Sequence, residues 1–128
     1  EIGSGLVGSE MCIRDRYVWV EELACYSPIM HIQQTDGITS PHSPFTKENN
    51  EKGIVEGKKL LEAIAASYEK EEKGMPPKTD KIVMALELFA SNTEHPHEIK
   101  NNMRETREYW KQYIPEDGVR LDQLLERL

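Results

Sequence analysis

Two short apolar runs limit what this chain can fold into. Residues 28–32 read Pro-Ile-Met-His-Ile, and residues 81–89 read Lys-Ile-Val-Met-Ala-Leu-Glu-Leu-Phe. Neither shows the strict polar alternation of a strand with one wet face. Continuous hydrophobicity predicts strands buried on both faces, as in a parallel sheet covered by helices. Parallel strands need a long crossover. One lies between the runs, where Leu60, Leu61, Ile64, Ala65 and Tyr68 fall on one face of a helix that fades toward Gly74, a good C-terminal stop.

Around these runs the remaining elements follow from spacing. Trp19, Leu23 and Tyr26 mark one face of a short helix closed by Ser27-Pro28. Pro96 suits the first position of a helix whose apolar face is Ile99, Met103, Thr106, Trp110, Tyr113 and Ile114. Residues 115–118 break it, and Leu121, Leu124, Leu125 and Leu128 predict a final short helix. From Asp36 to about Val55 the chain reads as a loop rich in Gly, Ser, Thr, Pro and Asn. Loops that long inside a domain are usually functional, or mark a missed element. The order gives two β/α units of a parallel α/β architecture. Two strands cannot close such a sheet, and a (β/α)8 barrel takes about 250 residues. The expectation is therefore a C-terminal fragment of a barrel.

Composition narrows the function classes. The chain has 128 residues and a formal charge of −7, which speaks against nucleic acid as a partner. No apolar run approaches the roughly 20 residues that span a bilayer, so a cytoplasmic address without a membrane partner is expected. Cys12 and Cys25 give no disulfide framework and no cysteine metal cluster, and Cys25 reads as a small core residue. Residues 1–16 follow neither a helical nor a strand period. Their stretch Ser9-Glu10-Met11-Cys12-Ile13-Arg14-Asp15-Arg16 resembles a translated sequencing adapter. They are set apart as a non-native or disordered segment, leaving residues 17–128 as the domain.

The residues that can carry chemistry cluster at the polar ends of the two runs. A carboxylate at position 87, between Leu86 and Leu88, costs on the order of several kcal/mol if buried alone, so Glu87 must meet a cation, a metal or a hydrogen-bond network. His31 ends its strand beside Gln33, Gln34 and Asp36, where a neutral imidazole can bind a divalent cation and Gln33 can orient it or touch a substrate. His42 and Lys47 lie in the long loop, from which they can reach over a ligand. His95 and His97 flank Pro96 at a helix start and read as structural.

In these residues the sequence resembles the sugar phosphate isomerase/epimerase superfamily of xylose-isomerase-like TIM barrels. The shared pattern is Trp19, His31, Gln33, Asp36, His42 and Glu87. The wording His31-Ile32-Gln33-Gln34-Thr35-Asp36-Gly37, followed by His42-Ser43-Pro44-Phe45-Thr46, is most similar to the erythrulose-1-phosphate epimerase type. Resemblance over residues 17 to 127 implies the last two strands of the barrel, with an additional C-terminal helix. It implies a divalent metal (Mn, Mg, Co or Zn) held by His31 and Glu87 with ligands from earlier strands. The metal would polarise a ketose so that an enediolate forms, with Glu87 as an acid/base. Gln33, Asp36, His42 and Lys47 are the expected substrate contacts. Some relatives carry an arginine where this chain has Gly37.

A small sugar or sugar phosphate is the expected substrate. Barrel enzymes often hold phosphate with the loops after their last two strands, here Thr39, Ser40, Ser43, Thr46, Lys47, Ser91, Asn92 and Thr93. The full-length protein is expected to be a metal-dependent isomerase or epimerase, with a homo-oligomer left open, and this chain alone to be inactive. Two rivals stand beside it: an endonuclease IV-like phosphoester hydrolase, and a non-enzymatic helical module docking through Trp110 and Leu121 to Leu128.

Overall fold

A computed structural model describes residues 17–38, 42–90 and 93–128. The element order is α1 (Val18–Leu23), a 3-10 turn (Ala24–Tyr26), β1 (Ile29–Ile32), α2 (Lys47–Lys52), α3 (Gly57–Glu69), β2 (Val83–Leu86), α4 (Pro96–Lys111) and α5 (Leu121–Glu126). The adapter-like segment with Cys12, and Thr39, Ser40, Ser91 and Asn92 of the phosphate loops, lie outside the described residues.

β1 and β2 pair in parallel, with Ile29 opposite Val83 and His31 opposite Ala85. The chain is thus α/β, with α3 in the crossover between its two described strands. Alternation along the strands sets their faces. Met30, Ile32 and Met84 turn toward a core of Tyr17, Ala24, Phe45, Leu60, Leu61, Ala63, Ile64 and Trp110. Ile29 and Val83 turn the other way and are each 59% exposed. Burial on both faces, which the apolar runs predicted, is therefore not found. The helices cover one face, and the other, carrying Ile29, His31, Val83 and Ala85, is open. The regular strands are also shorter than the runs that signal them.

Three further expectations change. The long loop contains α2, capped by Thr46, whose hydroxyl accepts from the Asn49 N–H at 3.2 Å. Its sequence, KENNEK, has no apolar period to betray it. In α1 the face with Trp19 points outward, Trp19 being 74% exposed, while Tyr17 and Ala24 are buried and Val20 packs against the core. Both sets are spaced by three and four, so periodicity alone cannot choose between them. Tyr17 decides it: its hydroxyl donates to the Ile54 carbonyl at 2.9 Å and accepts from the Glu56 N–H at 3.0 Å. α3 stops at Glu69 rather than running to Gly74, because the Lys78 ammonium closes its end by donating to the carbonyls of Tyr68 and Lys70.

α4 starts at Pro96 as expected. The His95 ring caps it by accepting from the His97 N–H at 3.2 Å, which gives His95 a structural role. Trp110 and Leu124 are buried, so the face that the helical-module rival needs for docking lies largely inside the protein. Cys25 is a buried free thiol, as its core reading required.

Candidate site at the strand ends

The last described hydrogen bond between the two strands runs from the Glu87 N–H to the Ile32 carbonyl at 2.9 Å. Beyond it the dipeptide His42-Ser43 lies between the continuing chains. Ser43 exchanges both backbone bonds with Gln34, at 2.9 and 3.1 Å, and the His42 carbonyl accepts from the Phe89 N–H at 3.0 Å. Part of the segment that read as a free loop is therefore wedged between the strand ends. Phe45, two residues on, anchors the wedge. It is 1% exposed, stacks on Tyr109 at 5.3 Å and meets Trp110 edge-on at 5.2 Å. Its N–H donates to the Thr106 hydroxyl at 2.9 Å. The Tyr109 hydroxyl accepts from the Gly57 N–H at 2.9 Å, and burial pushes its phenol up to about 12.

This frame brings three of the expected residues together. The Nδ1 of His31 lies 2.7 Å from Glu87 Oε2, a hydrogen bond, and the Nδ1 of His42 lies 2.5 Å from Glu87 Oε1. The second contact is an ion-pair distance without hydrogen-bond alignment, since the buried Nδ1 of His42 makes no hydrogen bond. The His42 ring also stacks on Phe89 at 4.0 Å. Glu87 is thus approached on both oxygens and half-buried, which answers the cost that its apolar run raised. With a carboxylate accepting at Nδ1, the neutral form of the His31 ring carries its proton on Nδ1 and leaves the Nε2 lone pair to offer a ligand.

The other expected contacts are dispersed. Gln33 follows His31 by two residues on the same side of the strand and is half-buried. Asp36 is exposed and its Oδ1 accepts from the Ile38 N–H at 2.9 Å, a turn contact. Lys47 opens α2 and lines a separate groove of about 400 Å³ with Glu51, Asn102 and Glu105.

The fit to a divalent metal is partial. Imidazole and carboxylate are suitable donors. Ligands about 2.1 Å from a cation at tetrahedral or octahedral angles stand about 3.0 to 3.4 Å apart. The separations of 2.7 and 2.5 Å are shorter, as expected of groups bonded to each other. Among the described residues no group of three or more His, Cys, Asp or Glu side chains is arranged to hold a metal ion.

One residue that the sequence places only among the polar groups following His31 has an organising role that was not foreseen. Gln34, 1% exposed, sends its amide toward the helices. Nε2 donates to Asn50 Oδ1 at 2.9 Å and to the Val55 carbonyl at 3.0 Å, and Oε1 accepts from the N–H groups of Thr35 and Val55. With its backbone it ties β1, α2 and the wedge into one unit. A glutamine in an apolar run is the signal that could have found it, since a buried amide must be satisfied by several partners.

No helix among the described residues is long and apolar enough to cross a membrane. In comparisons with known proteins, no family model matches the chain, and no curated protein matches it at a significant level.

Proposed function

We propose that this chain is the C-terminal β/α part of a TIM-barrel isomerase or epimerase acting on a small ketose or ketose phosphate, with Glu87 as its acid/base. The observation that carries this reading is the meeting of His31, His42 and Glu87 where two parallel strands end, on the side where parallel α/β enzymes build their sites. The open sheet face supports it. Ile29, His31, Val83 and Ala85 point where a barrel places its interior side chains, and further strands would cover them.

Within this reading the two oxygens of Glu87 have different tasks. Oε2 is engaged by the His31 N–H and fixes the carboxylate plane. Oε1 lies against the His42 ring without accepting a hydrogen bond from it, and, as the oxygen not bonded to His31, it is the one that would accept a proton from the carbon beside a ketose carbonyl and return it. Gln33, on the His31 side of β1, is placed to meet a substrate hydroxyl. A divalent metal remains part of the proposal as a Lewis acid for the ketose oxygens. His31 and Glu87 would be two of its ligands, would have to separate to bind it, and would need more from strands beyond this chain.

The test is turnover of a ketose phosphate, with metal content measured in parallel, by protein expressed from the reading frame extended upstream of Tyr17. Glu87→Gln should lose about 100 to 10,000-fold, the range of a lost acid/base. His42→Ala should lose much less, His31→Ala should lower metal content, and Gln33→Ala should mainly raise KM. Near-normal turnover of Glu87→Gln with full metal would refute the reading.

A further inference from the structure

His42 is the non-glycine residue with positive φ among the described residues, at 52°. A side chain bearing Cβ adopts that conformation when its surroundings demand it, and such outliers concentrate at working sites. Here the surroundings are specific. The His42 carbonyl is bonded to the Phe89 N–H, its ring is stacked on Phe89, and the next residue is paired on both sides with Gln34. Backbone and ring are thus fixed to both strand ends, and what they deliver is Nδ1 against Glu87 Oε1. The opposite oxygen is the one that His31 engages. One histidine ring thus stands at each oxygen of the carboxylate.

We infer that His42 is a positioning residue, whose task is to hold the Glu87 carboxylate against His31 and thereby to set which ring nitrogen of His31 carries the proton. This rests on the proposed function only in taking Glu87 as the working group. It revises the part expected of His42, from substrate contact to support of the carboxylate. The strained backbone has its reason in this role, since a relaxed φ would swing the ring off both Phe89 and Glu87.

The test uses the 128-residue chain labelled with 15N-histidine, at a pH alkaline enough for neutral imidazole, and reads the His31 tautomer from its two ring-nitrogen shifts. The unaltered chain should show His31 protonated on Nδ1. Glu87→Ala removes the acceptor, and His31 should revert to the Nε2–H form that free histidine favours. His42→Gly relieves the backbone and should fold, but removes the ring, so the Nδ1–H form should again be lost. His42→Asn tolerates positive φ and returns a polar side chain to the space beside Oε1, so it should restore the Nδ1–H form. If His42→Gly keeps the Nδ1–H form while Glu87→Ala loses it, the inference is overturned and the proposed function stands untouched. If Glu87→Ala also leaves the tautomer unchanged, His31 and Glu87 are not paired, and both fall.

Discussion

Gly53 and Gln34 should behave as one unit in unfolding experiments. A Cβ at position 53 would lie 2.1 Å from Gln34 Cδ, 2.2 Å from Oε1 and 2.6 Å from Cγ, far inside contact distance. Gly53 itself has φ −80° and ψ 157°, which alanine adopts freely, so Gly53→Ala carries no backbone penalty and isolates the clash. To admit the methyl group the Gln34 amide must leave its place and its four hydrogen bonds. At roughly 1 kcal/mol for each, less where the half-buried partners regain water, this costs about 2 to 4 kcal/mol. Gln34→Ala loses the same bonds and leaves a small cavity, for about 3 to 5 kcal/mol. In the double variant the space is already empty. Its total should match Gln34→Ala alone, which gives a coupling of about 2 to 4 kcal/mol. Urea unfolding in a stabilising osmolyte, followed by the fluorescence of buried Trp110, measures the cycle. Costs that add to within about 0.5 kcal/mol would show that Gln34 does not occupy the space beside Gly53.

Gly57→Ala should destabilise the chain by about 1 to 3 kcal/mol, because its Cβ would stand 2.5 Å from Cδ2 and Cε2 of the Tyr113 ring, and Tyr113→Ala should remove most of that cost in the same assay. Burial raises the Tyr109 phenol to about 12, so the folded state keeps a proton that the unfolded chain releases near 10. Its contribution to stability is present in full below pH of about 10 and is lost as the pH rises toward about 12. Alkaline unfolding midpoints should therefore fall across that window, and Tyr109→Phe should flatten the decline; an equal decline in both proteins would assign it to other groups.

How much of this was legible depended on which physical signal each residue sent. Glu87 and His31 were legible because ionisable groups in apolar runs are costly and need partners, and the two turn out to be each other's partner. His42 was legible as a candidate but not in its place. Its position comes from a dipeptide wedged between diverging strands, a long-range arrangement without local periodicity. α2 could not be seen, since its six residues are all polar or charged and it is held by the Thr46 cap and by Glu105, which accepts from the Lys47 N–H at 3.2 Å. α4 was read to its first residue because proline and a strong apolar stripe agree there. α1 was read on the wrong face, since the larger apolar residues, Trp19 and Leu23, lie opposite the side that Tyr17 anchors. The open sheet face escaped for a related reason: apolar side chains predict burial, and here the layer that would bury Ile29 and Val83 is not supplied by the described residues.

In the proposed function His31 and Glu87 form the working cluster of a site that would need further ligands from outside the described residues. Titration of the 128-residue chain with cobalt(II), followed by visible absorption, tests it most directly. The account predicts binding weaker than micromolar, because among the described residues no three side chains are arranged to hold a metal ion, where a catalytic site requires three protein ligands. It also predicts that this weak binding disappears in both His31→Ala and Glu87→Ala. Micromolar or tighter affinity, or weak binding that survives both substitutions, would contradict it.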